Sequence, residues 1–247
     1  MNDFTRQLVA VGQRLSLFKP RLLEIQPTRS MLVVAPHPDD ESFGCGGTLC
    51  LHTQQKARVD VAFLTQGEMG GSFSNPPTDF EKQRLAQKRR QEASDACKIL
   101  GVNQYTFLNG RDSLLSEQPD IYKEVLKILE NHRYDTLLCP WPADAHPDHR
   151  AASQACFRVL GEYSEKLDIW FYEVRSPLPA NCFCDITAAI GLKIKALRAH
   201  VSQGTELCEH AWCLGRYRAV QLSSANYAEA FLQISSSDFL RLLGLVQ

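Results

Sequence analysis

Short apolar runs alternate along the chain with polar segments of helix length: MLVVA (31–35), VDVAFL (59–64), YTFL (105–108), DTLLC (135–139) and DIWFYEV (168–174). Such alternation predicts βαβ units and an α/β fold, with a mainly parallel sheet covered by helices on both faces. Upstream, Phe4, Leu8, Val11, Leu15 and Phe18 recur at spacings of four and three, which predicts an amphipathic helix over about 3–19 that ends before Pro20. Its polar face is not strongly basic, so it is expected to pack on the domain and not on a membrane. The stretches 67–79 (GEMGGSFSNPPTD) and 176–184 (SPLPANCFC) read as loops, and no internal repeat is seen. A length of 247 residues suits one domain, 1–247, with a substantial core.

In an open α/β sheet, ligands bind beyond the carboxyl ends of the strands. The residues that follow these runs are unusually polar. After MLVVA comes Pro36-His37-Pro38-Asp39-Asp40-Glu41, after VDVAFL comes Thr65-Gln66-Gly67-Glu68, and after DTLLC a Pro/Trp turn leads to Asp144-Ala145-His146-Pro147-Asp148-His149. Three carboxylates beside a histidine repel one another unless a cation or hydrogen-bond donors compensate. His37 and Asp40, three apart, are expected to project to one side and reach one ion while Asp39 points elsewhere. Two histidines and a carboxylate match catalytic zinc, which keeps a fourth position for water and lowers that water's pKa towards about 7. His149 is the expected third ligand because its strand ends on the same edge.

Asp39 is then the candidate general base, and His146 the group that protonates a leaving amine or steadies an oxyanion. Asp144 and Asp148 are left to hydrogen-bond the histidines and fix their tautomers. On the segment EKQRLAQKRRQEASDACKILG, a buried face of Leu85, Ala93, Ala96 and Leu100 carries Arg89 and Glu92 at its middle. Charges there need partners: an Arg89–Glu92 ion pair and a direct ligand contact by Arg89 are both open. Glu68 is a candidate hydrogen-bonding partner for a polyol substrate, with simple turn chemistry the alternative. His200 follows a helical segment, where it would offset the helix dipole.

Twenty-seven basic residues against 28 acidic ones give a net charge of -1, so no broad field gathers nucleic acid or an anionic membrane. Nine cysteines without zinc-ribbon spacing suit a reduced, cytoplasmic compartment, and neither an export signal nor a spanning run is read at the N-terminus.

The motifs APHPDDE with GCGGTL, TQGE, RRQEA with LGV, and D-x-H-P-D-H-R-A, followed by KALRAHVSQ and AEAF, together resemble the PIG-L/LmbE family of zinc-dependent de-N-acetylases. The resemblance runs from about residue 31 to 232. It implies a Rossmann-like three-layer α/β/α fold and removal of the N-acetyl group from an N-acetylglucosamine-type amino sugar or glycoconjugate, releasing acetate. It also implies His37, Asp40 and His149 as ligands of Zn²⁺ or another divalent ion such as Fe²⁺, Asp39 as base, His146 as partner of the tetrahedral intermediate, and Arg89 as a contact to substrate hydroxyls. Pro36 departs from the family's usual alanine but is compatible with an extended strand end. The competing reading is a non-enzymatic, metal-dependent carbohydrate-binding protein. The expected partner is a small N-acetylated sugar or glycoconjugate; a homo-oligomer is left open.

Overall fold

The structure, a computed structural model, describes residue 10 and residues 12–13, 19–71 and 76–235. The helix expected over about 3–19 lies almost wholly outside them, as do residues 72–75 of the 67–79 loop. Eight strands form one sheet: β1 (Arg21–Leu22), β2 (Ser30–Ala35), β3 (Arg58–Thr65), β4 (Gln104–Gly110), β5 (Thr136–Pro140), β6 (Asp168–Tyr172), β7 (Cys182–Asp185) and β8 (Ala228–Ser235), in the order β1-β7-β8-β6-β5-β2-β3-β4. Every neighbouring pair is parallel except the two made by β8.

Among the described residues the α-helices that flank the sheet are α1 (Asp40–Gln54), α2 (Asp79–Leu100), α3 (Tyr122–Asn131), α4 (Pro147–Glu162), α5 (Ile190–Ala199) and α6 (Glu206–Ala219), with short 3₁₀ turns at Leu115–Glu117, Pro119–Ile121 and Val201–Gln203. The expected three-layer α/β/α architecture is the one observed. On β2, Leu32 and Val34 join one core with α3 and α4, while Met31, Val33 and Ala35 join the other with α1 and α2. Both faces of a central parallel strand are covered, which is why it reads as an unbroken apolar run. Among the described residues no helix is long and apolar enough to cross a membrane.

Two sequence expectations need correction here. Residues 182–184, read as the end of a loop, open strand β7, because Cys182, Phe183 and Cys184 pair with Phe231, Ala230 and Glu229 of β8. The Pro and Asn residues that suggested a loop stop just before it. Leu85 is only half-buried, and the inward face of α2 is Ala86, Arg89, Glu92, Ala93, Ala96, Cys97 and Leu100. A capping box fixes where α2 begins, with the Thr78 side chain accepting from Glu81 N–H and the Glu81 carboxylate accepting from Thr78 N–H.

Helix α1 lies very close to β6. A Cβ on Gly44 would stand 2.3 Å from Tyr172 Cδ2 and 2.9 Å from the Glu173 carbonyl oxygen. The Tyr172 hydroxyl donates to the Val34 carbonyl at 2.8 Å, so the ring is not free to move aside. Gly44→Ala is therefore expected to lower unfolding free energy by about 1–3 kcal/mol. Gly191→Ala, on α5 with nothing within 4 Å of the new methyl, should be neutral or stabilising by up to about 1 kcal/mol. Urea unfolding of both variants checks this, and equal stabilities would contradict the close approach of α1.

Candidate active site

Strands β2 and β5 are neighbours although β3 and β4 separate them in the chain, so the winding direction reverses between them. A crevice opens at such a switch point. His37 emerges from β2, and His146 and His149 stand at the start of α4, just after β5. Their rings cluster, with centroids 4.8 Å apart for His37–His146, 4.7 Å for His146–His149 and 5.4 Å for His37–His149. They line a cavity of about 330 Å³ together with Asp39, Asp40, Arg89 and Asp112.

Three of the expected residues meet at one oxygen. Asp40 Oδ2 accepts the His37 backbone N–H at 2.9 Å, and lies 3.2 Å from His37 Nδ1 and 3.4 Å from His149 Nε2. The far nitrogens of both rings face other carboxylates. His37 Nε2 is 3.1 Å from Asp148 Oδ2 and 3.3 Å from Asp112 Oδ1, and His149 Nδ1 is 3.0 Å from Asp144 Oδ1. Those carboxylates are anchored in turn: Asp148 accepts from Ser113 and Leu115 N–H, and Asp144 from His146, Arg175 and Ser176 N–H. Asp40 is the first helical residue, so its pairing with His37 comes from a carboxylate folding back over the strand end and not from a shared helical turn.

Burial opposes charge on both rings, yet the carboxylates prevail. Hydrogen bonds to Asp112, Asp148 and Asp40 hold His37 well above the usual imidazole range, and Asp40 with Asp144 carries His149 to about 9. For Asp40, burial is overcome by His149 and His37, which hold it well below its ordinary value. The cluster thus calls for positive charge, and a divalent cation supplies it as well as protons do. Ligand atoms of His37, His146 and His149 lie within 4.8 Å of one another, as do those of His37, Asp112 and Asp148. Donor set and charge both fit a metal.

Asp39 sits beside these residues with φ 135°, a strained backbone for a non-glycine residue. Arg89 holds it: Nη2 lies 3.2 Å from Asp39 Oδ2 and donates to the Pro38 carbonyl at 2.6 Å, while Nη1 donates to the Gly67 carbonyl at 3.0 Å. Burial raises the Asp39 carboxyl to about 6, opposed by Arg89 and reinforced by Asp40. Far from pointing away, Asp39 faces the cavity. His146 accepts the Asp148 backbone N–H on Nδ1 at 3.2 Å, which leaves Nε2 to carry the proton of the neutral ring. Burial and the charges of His37 and His149 lower its pKa.

Other expectations change. Arg89 does not pair with Glu92, whose carboxylate instead accepts from the Ser202 N–H and hydroxyl. Glu68 does not line the cavity: its Oε1 accepts the Asp112 N–H at 3.0 Å and braces that loop. His200 stands at the end of α5 as expected, and is also fully buried with Nε2 3.5 Å from Glu41 Oε1. Asp112, Ser113, Leu207 and His210 also line the cavity and were not anticipated, and Gln203, the last residue of the KALRAHVSQ motif, joins them. Asp112 was findable, since Asn109-Gly110-Arg111-Asp112 follows YTFL as the other polar stretches follow their strands.

With this geometry in hand, comparison with known proteins is informative. The family model described as GlcNAc-PI de-N-acetylase matches residues 32–160. The chain is 32% identical over 185 residues to a probable N-acetyl-alpha-D-glucosaminyl L-malate deacetylase 2 of Bacillus anthracis, covering 71% of this chain and 81% of the relative. It is 31% identical over 203 residues to a diacetylchitobiose deacetylase of Thermococcus kodakarensis, covering 74% and 73%. Among solved structures, the N,N'-diacetylchitobiose deacetylase of Pyrococcus horikoshii superposes with a TM-score of 0.77 at 24% identity, covering 97% of this chain and 96% of that one, a likeness of fold.

Asp144 is nearly fully buried and accepts three backbone N–H groups while facing His149. Asp144→Ala leaves those donors unpaired, and a stability loss of at least about 2 kcal/mol is expected in urea unfolding. A loss under about 0.5 kcal/mol, the size of an ordinary surface change, would contradict the bracing role.

Proposed function

The chain belongs to the PIG-L family, whose model is described as GlcNAc-PI de-N-acetylase, and on that premise we propose that it removes the N-acetyl group from an N-acetylglucosamine-type sugar or glycoconjugate with the help of a divalent metal, Zn²⁺ in the first instance. The observation that carries this reading is the convergence of His37 Nδ1 and His149 Nε2 on Asp40 Oδ2, with the Asp39 carboxyl, held by Arg89, facing the same cavity. The relatives act on sugars with different attachments, malate in one and a second aminosugar in another. Their shared chemistry is the acetamido group, and this chain is assigned that chemistry alone.

His37, Asp40 and His149 are the residues that would hold the ion, with Asp148, Asp112 and Asp144 orienting the two imidazoles. A bound divalent ion supplies Lewis acidity to a water and to the acetamide carbonyl. Asp39, with its carboxyl near 6, is matched to taking the proton of the attacking water near neutral pH. Arg89 keeps that carboxylate aimed, so in this account it serves the base before it serves any sugar hydroxyl. His146 offers an Nε2–H to the oxygen that gains charge as the carbonyl carbon becomes tetrahedral. The proton collected by Asp39 then goes to the nitrogen, the C–N bond breaks, and acetate and a free amine are released.

Acetate and free amine are expected in equal amounts when the zinc-loaded protein is incubated with a panel of N-acetylglucosamine glycosides that includes the malate glycoside and diacetylchitobiose. Asp39→Ala should retain metal and lose about 10²–10⁴-fold in rate, whereas His149→Ala should lose metal and activity together. Wild-type rates for Asp39→Ala would remove the base from the mechanism. Tight sugar binding without acetate from any member of the panel would favour a binding protein instead.

A further inference from the structure

Helix α1 carries Asp40 on its first turn, and a buried ion pair from two other elements enters its backbone further along. Glu229, on β8, accepts the Gly47 N–H on Oε1 and the Thr48 N–H on Oε2, both at 2.8 Å. Lys193, on α5, donates to the Phe43 carbonyl at 2.6 Å and to Glu229 Oε1. In an unbroken α-helix those two N–H groups point at the carbonyls of Phe43 and Gly44. The helix runs on through this point, and the carboxylate and the ammonium add contacts to the Gly47 and Thr48 N–H groups and to the Phe43 carbonyl.

Both side chains are almost completely buried, at 3% exposure for Lys193 and 4% for Glu229. A buried ion pair is a poor source of stability, since apolar residues of similar volume often do as well or better. What this pair does set is position. A Cβ on Gly47 would stand 2.8 Å from Ile186 Cγ2, so α1 also lies close against the segment that follows β7 at this point. The leading turns of α1 hold Asp40, whose Oδ2 both candidate metal-binding histidines approach. They are pinned from behind at Phe43 and in front at His37.

We propose that Lys193 and Glu229 are positioning residues that set the place of Asp40, and through it the affinity of the site for its divalent ion. The proposal rests on the metal-site reading above but needs no substrate. Metal-free protein is titrated with Zn²⁺ against a chromophoric chelator, for the wild type and for Lys193→Met, Lys193→Arg, Glu229→Gln and Leu129→Ala. Leu129 lies in the core on the other face of the sheet and reports the effect of lost stability alone.

Lys193→Met should weaken Zn²⁺ binding about 10- to 100-fold, the range seen when groups behind metal ligands are removed. Lys193→Arg should return it to within about threefold, and Leu129→Ala should leave it unchanged. If Lys193→Met does not fold, Glu229→Gln carries the test with an expected loss of at least about fivefold. Zn²⁺ affinity within twofold of wild type in a folded Lys193→Met or Glu229→Gln variant overturns the proposal, as does an equal loss in Leu129→Ala. A protein that shows these affinity losses yet releases acetate from no sugar would leave the positioning role standing and the proposed activity refuted.

Discussion

The site depends on one carboxylate oxygen, Oδ2 of Asp40, buried at the end of the central strand where two imidazoles and a backbone amide all approach it. A lone carboxylate in such a place would be costly, because burial penalises its charge. It is kept ionised by His149 and His37, and those rings are kept oriented by three further carboxylates. The result is a nest of negative charge in which the outward nitrogens of both His37 and His149 have an anionic neighbour. A divalent cation belongs at the centre of such a nest for the same reason that the imidazoles tend to hold protons there.

The fold delivers this arrangement with little freedom left over. Reversal of the winding between β2 and β5 puts two remote segments side by side, and the close contact of α1 with β6 through Gly44 fixes the helix that carries Asp40. Asp39 takes its unusual backbone angle between a strand end and a helix start, with Arg89 across from it. Strain of about 1–3 kcal/mol is typical of such residues and persists where surrounding structure over-determines it. Here the Pro38 carbonyl and the Asp39 carboxylate are both gripped by one guanidinium. The carboxylate proposed as the base is thus placed by a residue from α2, far away in sequence.

Periodicity exposed the central strands because parallel strands covered on both sides have no polar alternation to hide them. Polar residues after those strands then pointed to His37, Asp40, His146 and His149, which the structure gathers around one cavity. What escaped the sequence was pairing across distance. Arg89 had a carboxylate three residues away on its own helix, yet its partner is Asp39, and Glu92 turns to Ser202. Nothing in a helical pattern tells which loop will fold over a charged face. Strand β7 was obscured by the Pro- and Asn-containing stretch before it, and Glu68 by the fact that a polar turn residue can brace its own loop as readily as reach a ligand.

Metal and protons compete for the same nest, so their exchange tests the account most directly. With His149 near 9, its ring in the metal-free protein carries a proton at pH 7.5; His37 is shifted in the same direction by Asp112, Asp148 and Asp40, and a metal needs both rings neutral. Calorimetric titration of the metal-free protein with Zn²⁺, in buffers of different ionisation enthalpy, should show at least about one proton released per ion at that pH, with affinity that falls as the pH is lowered. Binding with no proton release and no dependence on pH would contradict it.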